Sequence, residues 1–134
     1  MNFLYAYLIS LGTMTILDAA WLGLVAPAFY KKHLGHLMAP KANRTAAVIF
    51  YLVFILGIAA FVIYPGWIEH RSLLAVAGKG ALFGLVTYGT YDLTNHATLK
   101  NWPKIVTIVD MTWGAVITTA TSVVSVSILS ALIK

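Results

Sequence analysis

The sequence contains no cysteine, and this absence excludes several kinds of site at once. Disulfide frameworks, thiol nucleophiles and thiolate metal centres all require cysteine. Charge is also scarce, since only 10% of the 134 residues are charged and only four are acidic. Roughly a quarter of the residues of a soluble domain carry charge. Because 60% of the residues are hydrophobic, we expect a membrane protein.

Familiar catalytic and binding motifs are missing as well. The sequence contains no phosphate-binding loop, dinucleotide fingerprint, serine-triad motif or zinc-finger spacing. The net charge of +5 does not indicate nucleic acid, because the basic residues are spread over short loops beside apolar segments. Attraction to anionic lipid explains basic residues in such places. We therefore expect the lipid bilayer as a partner and no nucleic acid.

Four apolar segments are long enough to cross a bilayer, which takes about 20 residues of helix. Pro65 and Gly66 are expected to stop the second segment. A short interfacial helix, opened by Tyr30 and ended by Pro40, is expected after the first segment. The prediction is an all-α, polytopic four-transmembrane-helix bundle that forms a single domain, 1–134. Its spanning helices are expected at about 3–29, 45–64, 72–96 and 105–133.

Small and hydroxyl-bearing residues concentrate on the last two predicted helices. Gly80 and Gly84 have the small-x-x-x-small spacing that lets helices approach closely. We interpret the glycines and the hydroxyl-rich second half of helix four as packing surfaces, and as candidate interfaces if the chain forms a homodimer. The hydroxyl-bearing residues are Thr118, Thr119, Thr121, Ser122, Ser125, Ser127 and Ser130.

The basic residues set the expected orientation. Positive charge favours the cytoplasmic side of a membrane, so the two basic loops are expected there and both termini outside. The loops after helices one and three hold Lys31, Lys32, Lys41, Arg44, Lys100 and Lys104, whereas the opposite side has Arg71 and Lys134, with Lys79 near it.

Three of the four acids, Asp18, Asp92 and Asp110, fall within predicted helices. A charged acid in hydrocarbon costs about 2.5 to 3.5 kcal/mol on insertion scales. Three such acids in so small a protein are expected to face one another or a wet cavity. Counting back from the helix ends at about 1.5 Å per residue places all three in the cytoplasmic half.

Two of these acids share a local pattern with tryptophan. Asp18 with Trp21, and Asp110 with Trp113, both form D-x-x-W, which places each carboxyl beside an indole on one helix face. The two helices run in opposite directions, so both indoles are expected at a similar depth.

On helix three, Tyr88, Asp92, Asn95 and His96 share one face by helical spacing. We predict one pocket that opens toward the cytoplasmic leaflet and is made by helices one, three and four, with helix two behind it. Asp92, Asp110 and His96 are the candidate acid and base groups. The candidate ligand-binding residues are Asp18, Trp21, Tyr88, Asn95 and Trp113.

Each of these groups also has a purely structural interpretation. A buried Asp can be protonated and bonded to a neighbouring hydroxyl, and a Trp at this depth can pack or, like Trp102, belong to an interfacial belt. His96 and Asn95 can satisfy the end of helix three. A divalent metal on Asp92, His96 and Asp110 is conceivable, but the usual ligand spacings are absent, so the signal for a metal is weak and any cofactor stays unknown.

Several blocks of the chain resemble the DUF2177 family of small bacterial membrane proteins. The resemblance rests on T-Y-D-L-T-N-H-A-T-L-K-N-W-P, V-D-M-T-W-G, L-D-A-A-W-L-G, F-Y-K-K-H-L-G-H-L and G-A-L-F-G-L-V-T-Y. It covers nearly the whole chain. It implies a compact, multi-pass protein of the bacterial inner membrane and the importance of these positions, and it implies no particular reaction.

Three functions are compatible with these residues. The first is binding or modification of a lipid or another membrane-soluble small molecule, with Asp92 or Asp110 as general acid or base and His96 as proton carrier. The second is proton-coupled transport of a small solute by a homodimer, since carriers use intramembrane carboxylates. The third is an accessory subunit that meets a membrane partner subunit. We favour the first because the polar residues gather in one leaflet, and whether the protein is an enzyme stays open.

Overall fold

The structure, a computed structural model, describes residues 1–133, and all of the regular structure among them is helical. Four helical segments are long and apolar enough to cross a membrane: Asn2–Leu24, Arg44–Ile68, Leu73–Thr98 and Lys104–Leu132. The expected four-helix membrane bundle is confirmed. The elements are α1 (Asn2–Leu24), α2 (Ala26–Leu34), α3 (Arg44–Ile58), a π-helical turn (Ala59–Ile63), α4 (Tyr64–Ile68), α5 (Leu73–Thr98) and α6 (Lys104–Leu132).

The first helix is shorter than the sequence suggested. α1 ends at Leu24, not near residue 29, and α2 begins directly afterwards at Ala26. Pro27 explains the break, because it has no N–H for the carbonyl four residues back, whereas the first turn of a new helix tolerates it. The expected interfacial helix therefore begins before Tyr30 and ends at Leu34.

The second span does not stop at Pro65 and Gly66, as the sequence predicted, but continues to Ile68. A π-helical turn precedes the proline, and within it the Tyr64 N–H bonds to the Ala59 carbonyl five residues back. Pro65 then lies in the first turn of α4, a position that tolerates a residue without an N–H. The wide turn thus lets one span pass through a proline.

α5 and α6 approach each other most closely, as the glycine spacing predicted. A Cβ on Gly84 would lie 2.2 Å from the Gly114 carbonyl oxygen, and one on Gly80 would lie 2.8 Å from the Ser122 Oγ. Gly80, Gly84 and part of the hydroxyl-rich face are therefore packed within one chain. The buried hydroxyl-bearing residues of α6 include Thr118, Thr121, Ser122 and Ser125.

The buried acids and the largest apolar core lie in opposite halves of the bundle. We call the end that holds α2 and the loops 35–43 and 99–103 the basic end. The buried acids lie in the half nearer this end, and an apolar core, which we call the far core, lies in the other half beside buried hydroxyl groups of α6. The far core contains Ala6, Ile58, Val62, Ile63, Trp67, Val76, Val126 and Leu129.

α2 folds back over the start of α6. Leu34 of α2 packs against Trp102 and Val106, with Phe29 and Tyr30 beside them. Trp102 is only 8% exposed, and its Nε1 donates a 3.0 Å hydrogen bond to the Thr107 hydroxyl. Trp102 is therefore a buried anchor for α2 and not the expected member of an interfacial belt.

Candidate functional site

Three spanning helices bring their carboxyl groups into the same half of the bundle. Asp18 of α1, Asp92 of α5 and Asp110 of α6 are all buried. The close packing of α5 on α6 makes the Asp92 and Asp110 carboxyls neighbours. The structure thus groups the three acids, as their depths in the sequence suggested.

Asp110 has a hydrogen-bond donor from outside the spans. The Tyr30 hydroxyl, carried by α2, donates to Asp110 Oδ1. Burial raises the pKa of the Tyr30 hydroxyl above its ordinary value of 10.0, and the bond to Asp110 raises it further. Tyr30 therefore stays protonated and remains a donor at neutral pH.

The two D-x-x-W motifs meet each other in space. Trp113 Nε1 donates a 3.3 Å hydrogen bond to Asp18 Oδ1. The Trp21 and Trp113 rings are stacked, with centroids 4.7 Å apart and planes 12° from parallel. The Trp113 indole of the second motif thus contacts both the carboxyl and the indole of the first motif.

Asp92 is buried without a partner. Its exposed fraction is 0%, and no donor in residues 1–133 reaches either of its carboxyl oxygens. Its neighbour Asp110 carries a second carboxyl group and not a base. In residues 1–133, one ion pair forms, between Arg71 and Glu69, and it lies beyond the far core and away from Asp92. Asp92 therefore lacks the compensation that buried carboxylates normally have.

A cavity of about 370 Å³ lies between the second span and α5 and reaches Asp110. Phe50 and Tyr91 are 59% and 57% exposed, so the mouth of this cavity faces the lipid. Its size falls within the range of about 300 to 1,000 Å³ that is typical of small-molecule sites. The lining residues are Phe50, Phe54, Thr87, Tyr88, Tyr91 and Asp110. The second span, expected only to stand behind the pocket, thus forms one of its walls, and α1 contributes no lining residue.

Tyr88 lines the cavity, and two neighbours hold its ring. Phe54 meets it edge to face at a centroid distance of 6.0 Å. A Cβ on Gly114 would lie 2.3 Å from Tyr88 Cγ, so only glycine leaves room for the ring against α6. The orientation of Tyr88 is therefore fixed by packing on both sides.

Asn95 and His96 lie nearer the end of α5 and do not line the cavity. His96 Nδ1 is 3.5 Å from the Thr107 hydroxyl, which also accepts from Trp102. The structure therefore associates His96 with the anchor of α2 and not with the carboxyls. No three His, Asp or Glu side chains in the described part of the chain are arranged to hold a metal ion.

Five residues of this site are not among those predicted from the sequence: Tyr30, Phe50, Phe54, Thr87 and Tyr91. Tyr30 lies in a basic segment that appeared to be purely interfacial, and Phe50 and Phe54 lie on a span without charge. The two phenylalanines are four residues apart, so they share a helix face. This aromatic pair at helical spacing was the signal that could have marked the second span as a wall.

Comparisons with known proteins agree with the resemblance seen in the sequence. The model of a family described as "Predicted membrane protein (DUF2177)" matches residues 3–127. This region contains every residue of the cavity and all three buried acids. No protein of curated function matches the chain, and no solved structure does.

Proposed function

The chain belongs to the DUF2177 family of predicted membrane proteins, and we propose that it binds a membrane-soluble small molecule in the cavity beside Asp110. One observation carries the proposal: an aromatic-walled cavity opens toward lipid and ends on a buried carboxyl group. A molecule with an apolar body and one polar group fits this arrangement.

The polar end of the cavity is expected to provide most of the selectivity. Lipid tails are as apolar as the rings of Phe50 and Phe54, so moving an apolar body from lipid to the cavity gains little free energy. A hydrogen bond to Asp110 has no equivalent among lipid tails, and bonds to charged groups contribute about 1.5 to 3 kcal/mol. The ligand is therefore expected to carry a hydrogen-bond donor.

Entry is proposed from the side, through the bilayer. The exposed Phe50 and Tyr91 flank the mouth, whereas α2 packs over the basic end with Leu34 and Tyr30. If the bound molecule is also modified, Asp110 is the cavity group placed to move a proton.

Transport is less well supported than binding. A carrier needs a path that opens to each side in turn, usually around a site near the midplane. Here the half of the bundle beyond the acids is filled by the far core, in which Ile58, Ile63 and Leu129 are completely buried. The cavity therefore suits a molecule that enters and leaves on one side.

The proposed setting is the bacterial inner membrane, with the basic end in the cytoplasm and both termini outside, because basic loops favour the cytoplasmic side. The absence of native cysteine makes this simple to test. A single cysteine at Lys41→Cys should be protected from an impermeant thiol reagent in intact cells, and one at Arg71→Cys should be labelled. The reverse pattern would contradict this orientation.

Binding can be tested with two matched threonines of α5. Thr87 lines the cavity and Thr90 faces lipid, and each donates a 2.7 Å hydrogen bond to the carbonyl four residues back. We expect native mass spectrometry of the wild type and Thr90→Phe to detect a bound small molecule, and Thr87→Phe to lose it. The same bound mass in all three proteins, or none in any, would contradict the proposal.

A further inference from the structure

We propose that the molecule in this cavity carries a protonated primary or secondary amine that donates a hydrogen bond to Asp110 and is attracted by the buried Asp92 carboxyl behind it. The inference rests on the proposed function, because it names the chemical class of the ligand for the same cavity. The surroundings of Asp92 carry it.

The electrostatics of the acid pair call for a positive group from outside the chain. Asp92 is completely buried, its oxygens have no donor in the described chain, and its neighbour is another acid. Tyr30 satisfies one oxygen of Asp110 but carries no positive charge. Isolated buried carboxylates are costly, and buried charges are normally paired. The ammonium group of a ligand bound to Asp110 would supply this positive charge beside both carboxyl groups.

The aromatic lining suits an organic cation. Phe50, Phe54, Tyr88 and Tyr91 form the walls around the approach to Asp110. The face of an aromatic ring attracts cations, and the attraction strengthens when water is excluded. A hard divalent metal fits less well, because Mg²⁺ and Ca²⁺ prefer six or more oxygen ligands and most of these walls are hydrocarbon.

The Asp110 oxygen that Tyr30 does not bond also selects the type of amine. A primary or secondary ammonium has N–H groups that can donate to this oxygen. A quaternary ammonium offers charge but no N–H, so it would leave this oxygen without a donor. The lipid-facing mouth between Phe50 and Tyr91 leaves room for an alkyl tail to reach the bilayer. The ligand is therefore an amphipathic amine.

The test compares three probes with the same tail: dodecylamine, dodecyltrimethylammonium and dodecanol. Purified protein in phosphatidylcholine nanodiscs is mixed with each probe, and native mass spectrometry measures the bound fraction. The phosphatidylcholine headgroup has no N–H and does not compete. We expect dodecylamine to bind most tightly and dodecanol least, with at least about a tenfold difference in affinity, since bonds between charged groups exceed neutral ones.

Variants then locate the selectivity. Asp92→Asn should reduce the preference for dodecylamine over dodecanol at least about fivefold while dodecanol still binds, because the tail contacts remain. Glu69→Gln removes an acid from the loop beyond the far core and should keep the wild-type preference. An unchanged preference in Asp92→Asn would overturn the role of Asp92.

The comparison of probes in the wild type needs no variant. Equal binding of amine and alcohol, both lost in Thr87→Phe, would overturn the amine and leave the cavity as a binding site. Binding of no probe, together with the absence of any native ligand, would overturn the proposed function as well.

Discussion

The Tyr30 hydroxyl donates a hydrogen bond to the Asp110 carboxyl, and this contact joins α2 to the wall of the cavity. The two residues lie 80 positions apart in the sequence. Because Asp110 also lines the cavity, we expect a shift of α2 to change the hydrogen bonding of the carboxyl group that a ligand would meet.

Removal of the Tyr30 hydroxyl should loosen α2. Tyr30→Phe leaves one Asp110 oxygen without its donor and should cost about 1.5 to 3 kcal/mol of α2 docking, the usual range for a bond to a charged group. Hydrogen exchange of the α2 amides should accelerate accordingly. In the control Tyr7→Phe, a 3.3 Å exposed bond to the Leu52 carbonyl is lost, and α2 should exchange as in the wild type. Equal exchange in both variants would contradict the role of Tyr30.

The same contact predicts a pH dependence. The pKa of Tyr30 is raised in the folded protein, chiefly by burial and next by Asp110, so the unfolded tyrosine ionises first. The stabilisation is therefore fully present below about pH 10 and decreases as the pH rises toward the higher folded value. Tyrosinate absorbance should show one fewer late-ionising group in Tyr30→Phe than in the wild type. A tyrosine that titrates near its ordinary value at this position would contradict the prediction.

Asp18 and Trp113 should be strongly coupled. Trp113→Phe leaves the buried Asp18 without its indole donor and weakens the stack on Trp21, at a cost of about 1 to 3 kcal/mol. In the double variant with Asp18→Leu, little further stability should be lost, because no buried acceptor remains unsatisfied. Unfolding in detergent micelles with increasing dodecyl sulfate gives the four free energies of the cycle. Additive losses would show that the hydrogen bond does not couple the two residues.

Two glycines of α5 provide a matched pair for the helix contact. Gly84→Ala places a methyl group 2.2 Å from the Gly114 carbonyl oxygen, and the overpacking should cost about 1 to 3 kcal/mol. Gly78 has nothing within 4 Å of its added Cβ, so Gly78→Ala should be neutral or stabilising by up to about 1 kcal/mol. The same unfolding measurement separates the two variants, and a similar loss of stability in both would contradict the close approach of α5 and α6.

Asp92 should be a residue whose replacement stabilises the protein. Asp92→Leu removes a buried carboxyl without a partner, and comparable replacements of buried ionic groups range from neutral to about 4 kcal/mol stabilising. We also expect this variant to lose the preference for dodecylamine over dodecanol. A group that costs stability is often one that function requires. A marked loss of stability would indicate that Asp92 has a structural role.

The sequence was most informative where physics acts locally. Apolar runs long enough to cross a bilayer predicted the spans. The spacing of Gly80 and Gly84 predicted a close helix contact, although it did not identify α6 as the partner. The ends of the helices near prolines were predicted wrongly. Pro27 ended α1 early, whereas Pro65 was absorbed by a π-helical turn, and the choice depends on packing that a single sequence does not display.

The candidate site was only partly predictable for a related reason. Helix periodicity and depth brought Asp18, Asp92 and Asp110 together because each lies on a regular span. Tyr30 could not be assigned, since its contact depends on how α2 folds back after the break before Ala26. His96 shared a helix face with Asp92, but the Thr107 contact that holds it involves the next helix.

The most direct test of a ligand in the cavity is photo-crosslinking in native membranes. Benzoylphenylalanine replaces either Phe50, which lines the cavity, or Val53, which lies on the same span and is equally exposed, at 60% against 59%. We predict that illumination attaches one defined small molecule at position 50, whereas position 53 gives only a mixture of bulk lipids. The same lipid mixture at both positions would contradict the central claim.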